Sequence, residues 1–97
     1  MKIQYTDYND IPSFLEDVAK CCLGEMTEQT KQELRNEPNP IPYHLGIGGY
    51  IRNEFFYPQK KLIPAACAKQ KEELEDLVRH ADDHSLRVIE MIIRKVK

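Results

Sequence analysis

Six polar residues have the types and spacing to do chemistry: His44, Arg52 and Asn53 in one stretch, and Asp82, Asp83 and Ser85 in another. A guanidinium grips an anionic group through paired N–H donors. A neighbouring amide can orient that group, and an imidazole can act as general acid or base. If the two stretches meet, they form a polar pocket between two helices, suited to a phosphate or nucleotide. The same residues admit a purely structural account. Arg52 then pairs with Asp82 or Asp83, Asn53 satisfies backbone groups at a helix end, and His44 sits in the core with one hydrogen bond. The separation of Arg52 from the aspartates decides between the two, because direct pairing fades beyond about 6 Å.

Other candidates are weaker. His80 and His84 have the i,i+4 spacing of a helical zinc pair. Asp82 and Asp83 lie between them in what reads as a junction of two helices, which breaks that geometry. Cys21 and Cys22 are adjacent and Cys67 is distant, so the three cysteines make a poor disulfide framework and lack Cys-x-x-Cys spacing. They read as free thiols, with Cys22 packed in the core. No nucleophile elbow, carboxylate dyad or Ser/His/Asp order is present. The expectation is no catalytic residue, no metal and no cofactor.

Composition bounds the partners. The chain has 97 residues, 41% of them hydrophobic and 31% charged, with a formal net charge of −2. That fits one globular domain over residues 1–97. A general nucleic-acid binder carries a basic excess, and none is present. The apolar run from Leu62 to Ala68 contains Pro64 and is too short to cross a membrane. Residues 1–7 lack the apolar segment of a signal peptide. A cytoplasmic protein is expected.

The elements that must position the six residues are helical. Residues 1–9 suggest a short edge strand or a loosely ordered segment, with Ile3 and Tyr5 on one side. A first helix should start between Asp10 and Ser13, with Ser13-x-x-Glu16 as a capping box and Pro12 in the first turn. Its apolar face is Phe14, Leu15, Val18, Ala19 and Cys22, and Gly24 should stop it. Thr27 should cap a second helix ending near Asn36, with Leu34 inward. Pro38, Pro40 and Pro42 then force an extended loop.

Tyr43 to Tyr57 holds Gly46, Gly48 and Gly49, three of the four glycines. Either they cradle an anion with backbone N–H groups, or the segment is one helix with a notch at Gly48. Helical geometry favours the second, since it places His44, Gly48, Ile51 and Phe55 on one stripe. Pro58 ends that helix and Pro64 opens a fourth, running to about His80. Asp82 or Asp83 caps a fifth, whose stripe of Leu86, Ile89, Ile93 and Val96 makes it the centre of the core. The expected fold is an all-α bundle of four to five helices, with the third and fifth at its core and neighbours antiparallel.

The string from His44 to Phe55, His-Leu-Gly-Ile-Gly-Gly-Tyr-Ile-Arg-Asn-Glu-Phe, resembles the signature of a small helical bacterial family of unknown function. That signature reads roughly His-Phe-x-Leu-Gly-x-Trp-Ile-Arg-Asn-x-Phe/Trp. The family's second signature, Pro-Asp-Asp-x-Ser, opens a final helix and is similar to Asp82-Asp83-His84-Ser85, with Ala81 in place of the proline. The family continues after its first signature with Gly-Leu-Trp, whereas Phe56-Tyr57-Pro58 follows here. The resemblance implies a helical fold over about residues 11–96 and brings no activity with it.

Intact folding signals, small size and the lack of a catalytic motif point to a non-enzymatic interaction protein. It would act on a protein partner or its own copies through a helical face, as bacterial or phage inhibitor, immunity and accessory proteins do. The alternative is a small-ligand binder gripping a phosphate or nucleotide with Arg52, Asn53 and His44.

Overall fold

Asp10 opens the first helix. Its carboxylate accepts the Ser13 N–H at 2.8 Å, with Pro12 in the first turn. In the computed structural model, which describes residues 3–97, α1 is Ile11–Glu25 and α2 is Glu28–Asn36. Ser13 is thus the donor to the cap rather than the cap itself. Glu16, its expected capping-box partner, pairs with Lys95 near the far end of the chain. α1 runs through Gly24 and ends where Met26 turns extended. α2 is capped by Thr27, whose hydroxyl accepts the Thr30 N–H at 3.2 Å, and it buries Leu34. Its last carbonyls are not left orphaned. The Tyr43 hydroxyl donates to the Glu33 and Glu37 carbonyls at 3.1 and 2.9 Å.

Residues 43–57 do not form the single helix expected. A 3-10 turn, Ile41–Tyr43, leads into an open turn over 44–46, and α3 is only Ile47–Ile51. Gly46, with ψ −82°, lies outside the helical basin and starts the coil late. No glycine among the described residues has a positive φ. The Tyr43 and His44 amides donate back within their own turn, to Pro40 and Ile41.

Beyond α3 the coil widens into a π turn, Arg52–Phe56, in which the Tyr57 N–H reaches back five residues to the Arg52 carbonyl. Pro58 supplies the reason. It has no N–H to offer, and its ring crowds the carbonyl four residues earlier, so the ladder must loosen ahead of it. The proline does not end the helical path. A 3-10 coil, Tyr57–Ala65, carries Pro58 and Pro64 onward, and α4 starts later than expected, as Ala68–Arg79.

α5 is Ala81–Val96 and follows α4 after one residue, His80. His80 serves both helices: its N–H donates to the Asp76 carbonyl at the end of α4, and its carbonyl accepts the His84 N–H at the start of α5. The two helices therefore meet at a one-residue bend rather than through a hairpin loop. Asp82 and Asp83 occupy the first turn of α5 instead of its cap, where their charge suits the helix dipole.

α5 is the hub of the core. Val88, Ile89, Ile92, Ile93 and Val96 are buried against α1, α2, α3, α4 and the π turn, with α1 as the most extensive neighbour. α1 joins the third segment, whose Ile51, Phe55 and Phe56 are fully buried, in the core around α5. The Cα radius of gyration is 13.5 Å, near that of a compact chain of this length.

The edge strand expected over 1–9 is absent among the described residues, and positions 1 and 2 lie outside them. A 3-10 turn, Tyr5–Asp7, stands there instead. The Tyr5 ring is fully buried, edge-on to Phe14 with centroids 5.3 Å apart. Its backbone finds a side chain where a strand would find a neighbour. Gln59, also fully buried, accepts the Tyr5 N–H at 2.9 Å and donates to the Ile3 carbonyl at 2.9 Å. Bonding to residues i and i+2 in this way is the pattern of a parallel ladder. One side-chain amide thus stands in for a strand residue.

Candidate functional site

The six candidate residues are split by the fold. Arg52 opens the π turn and reaches across to the first turns of α5, its side chain 12% exposed. Its Nη1 donates to the Ser85 hydroxyl at 2.9 Å, and Nη2 donates to the His44 backbone carbonyl at 3.3 Å. Nε lies 3.5 Å from the Asp82 carboxylate, well inside pairing range. Ser85 is fully buried and passes its own hydroxyl proton to the Asp82 carbonyl at 2.9 Å. Each nitrogen of the guanidinium therefore faces a protein atom. The cluster ties the 44–52 segment to the start of α5.

Gly48 makes room for this clasp. A Cβ there would stand 3.0 Å from Arg52 Nη1 and 3.6 Å from both the Ile89 side chain and the Ser85 hydroxyl. The notch expected at Gly48 is real. It admits the arginine on its way to Ser85 as well as the α5 side chains.

Asn53 is exposed and stands apart from the cluster. Asp83 is exposed beside Asp82. His44 contributes its carbonyl to the clasp, while its side chain lines a groove of about 510 Å³ on the outer side. Ile41, Pro42 and Leu45 form one wall of that groove, and Asp82, Asp83 and Leu86 of α5 form the other. Ile41 is 62% exposed and Leu45 83%, the two most exposed large hydrophobic residues described. The polar expectation thus led to the right place, but the open surface there is apolar with an acidic rim. An isoleucine between prolines at 40 and 42, and a leucine beside Gly46, were the sequence signals for it.

The histidines at the α4–α5 bend serve the fold. Asp76 sits between them, 2.9 Å from His84 Nε2 and 3.8 Å from His80 Nε2. His84 is buried, and its Nδ1 has no hydrogen-bond partner among the described residues. No group of three or more metal-ligating side chains occurs among the described residues.

Shifted acidities fall on anchoring contacts elsewhere. Burial, reinforced by a 2.7 Å hydrogen bond to Asp17, pushes the Tyr8 hydroxyl up to about 12. The Ser13 backbone N–H holds the Asp10 carboxyl below its ordinary value. The Lys95 ammonium does the same for Glu16.

The fold and site define an all-α protein with an internal arginine clasp beside an open apolar groove. Compared with family models, curated proteins and solved structures, the chain matches none. Among the described residues no helix is long and apolar enough to cross a membrane.

Proposed function

We propose that this is a non-enzymatic interaction protein of inhibitor, immunity or accessory type. Its working face is the groove between residues 41–45 and the first turns of α5. The observation that carries the reading is the exposure of Leu45 and Ile41, at 83% and 62%, on the lip of a groove whose far wall carries Asp82 and Asp83. An apolar wall with an acidic rim suits a partner segment that presents an apolar side chain next to Lys or Arg. The cytosol is the proposed setting, where thiols such as those of Cys21 and Cys67 stay reduced. The likeness of residues 44–55 and 82–85 to the bacterial family signatures is part of the same proposal.

The phosphate-gripping alternative has less support. Arg52 would have to leave Ser85, Asp82 and the His44 carbonyl to hold an anion. Each charge-assisted bond it gave up costs roughly 1.5–3 kcal/mol.

The test compares affinity capture from the native cell by the wild type, by Leu45→Asp and by a Lys60→Glu control on the exposed 3-10 coil. Burial of one leucine is worth roughly 1.5–3 kcal/mol. Leu45→Asp should therefore weaken a stoichiometric protein complex at least about tenfold, while Lys60→Glu leaves it intact. A partner retained by Leu45→Asp, or a nucleotide recovered in place of a protein, would overturn the proposal.

A further inference from the structure

The two walls of the groove differ in chemistry. The ledge carries Ile41, His44 and Leu45, so it offers apolar side chains with an imidazole among them. The α5 wall carries Asp82, Asp83 and Leu86, so it offers an apolar side chain beside two carboxylates. Each wall is complementary to the other. Within one chain they do not meet: among the described residues no ion pair or hydrogen bond joins the His44 ring to Asp82 or Asp83. We propose that the groove is filled by a second copy of this chain, in a two-fold pair that seats each ledge against the α5 wall of the other copy.

Shape, charge and rigidity choose this occupant. Leu45 is the most exposed large hydrophobic residue described, and it stands on the lip of the hollow that can receive it. One two-fold contact uses a protrusion and a hollow that lie side by side on the same molecule, and it closes with neither left over. Asp82 already lies 3.5 Å from Arg52, whereas Asp83 is exposed and touches no cation among the described residues. His44 gives its own chain's clasp only its backbone carbonyl, which leaves a ring N–H to donate to Asp83 of the second copy. The Arg52 bonds to Ser85 and to the His44 carbonyl fasten the ledge to the start of α5. Both surfaces are therefore presented at a fixed spacing, which lowers the cost of making two contacts at once. The inference rests on the groove being a docking face and goes on to name what docks there.

Analytical ultracentrifugation of the purified chain over a concentration series measures the pairing. The wild type should show a monomer–dimer equilibrium with a Kd below about 1 mM. Leu45→Asp enters a two-fold contact twice, at roughly tenfold each time, so it should weaken the dimer about a hundredfold. Asp83→Lys sets a cation opposite His44, and His44→Glu sets an anion opposite Asp83, so each variant alone should sediment as a monomer. An equal mixture of these two should restore the dimer. One of its contacts is the wild-type pairing of His44 with Asp83, and the other joins the two introduced charges. Leu45 and Asp83 are exposed and His44 is half-buried, so circular dichroism and thermal midpoints should match the wild type. If Leu45→Asp shifts the midpoint, the mixture decides alone. Three results would each overturn the pairing: a wild type that stays monomeric at millimolar concentration, a dimer that survives Leu45→Asp, or a mixture no more dimeric than its components. A monomeric wild type that still captures a foreign protein through Leu45 refutes the second copy and leaves the docking face standing. Loss of both dimer and capture removes the docking face as well.

Discussion

Replacing Gln59 asks how much of the fold hangs on one amide. Three backbone groups depend on it: the Tyr5 N–H and Ile3 carbonyl at 2.9 Å each, and the Phe55 carbonyl at 2.8 Å. Two of these contacts are buried, and the one to Ile3 is partly open to water. A buried backbone group left without a partner costs roughly 1–3 kcal/mol, and a rehydrated one well under 1. Gln59→Leu removes all three bonds while keeping a side chain of similar bulk, which returns about 1 kcal/mol of apolar transfer. The expected net loss is about 2–4 kcal/mol, a large part of the roughly 5–15 kcal/mol that holds a domain together. Gln59→Glu keeps the outline and the acceptor but loses the donor, and points a carboxylate at two carbonyls. Without a partner for its charge at a fully buried position, that carboxyl will have its folded pKa raised above the unfolded value of about 4.3. Its stability relative to wild type is then best below about pH 4 and declines as pH rises. Urea unfolding followed by circular dichroism measures both variants. Exchange protection of the Tyr5 amide separates local release of the N-terminal segment from global loss. Gln59→Leu within about 0.5 kcal/mol of wild type, with the Tyr5 amide still protected, would refute the reasoning.

Gly48→Ala gains up to about 1 kcal/mol of helix propensity but forces Arg52 Nη1 away from a Cβ at 3.0 Å. Thermal unfolding should show it neutral or destabilising in the wild type, and stabilising once Arg52→Ala removes the clash. Ser85→Ala should cost about 1–3 kcal/mol in urea titrations, because it leaves an Arg52 N–H without its acceptor in a largely buried clasp. Thr27→Ala should cost about 1 kcal/mol through loss of the α2 cap. Tyr8 contributes stability that is complete below its unfolded pKa of 10.0 and lost as pH climbs toward about 12. Tyr8→Phe should therefore flatten alkaline unfolding in that window, as a pH series of thermal midpoints would show. Asp10 has the opposite sign. Its carboxyl is held low by the Ser13 N–H, so its contribution disappears as pH falls below about 4, and Asp10→Asn should remove that acid dependence.

Elements whose local signals agree with their packing were legible in the sequence. Thr27 caps α2 as its residue type demands, Leu34 is its buried contact, and Ile89, Ile93 and Val96 of the α5 stripe are in the core, while Leu86 faces the groove. The segment from Tyr43 to Ala65 was not, because its outcome is a contest of backbone effects. Gly46 delays the helix, Pro58 loosens its ladder into a π turn, and 3-10 geometry absorbs both Pro58 and Pro64. No periodicity count weighs those terms. Gln59 was invisible for a related reason. Two of its three partners are backbone atoms about fifty-five residues away in sequence, and nothing in residue type marks a long-range amide contact. At the candidate site, the meeting of Arg52 with Asp82 and Ser85 followed from residue chemistry. The exclusion of Asn53 depended on which side of a widened turn it came to occupy.

Asp82 shows why the clasp and the groove belong to one design. Its carboxylate lies 3.5 Å from Arg52 Nε, yet its side chain is 73% exposed while that of Arg52 is 12% exposed. Water screens the open side of that pair, so its attraction alone adds little to stability. The Ser85 and His44 bonds do most of the fastening. Asp82 therefore keeps most of its reach toward solvent, and with Asp83 it presents two carboxylates on the groove wall, only one of them touching a cation among the described residues. A basic group arriving there would meet charge that the clasp only partly offsets. Arg52 in turn stays anchored, so under the proposed function the ledge carrying Ile41 and Leu45 would not need to be ordered by a docking partner. That preorganisation would lower the entropic cost of binding. It is the physical link between the internal polar cluster and the apolar surface beside it.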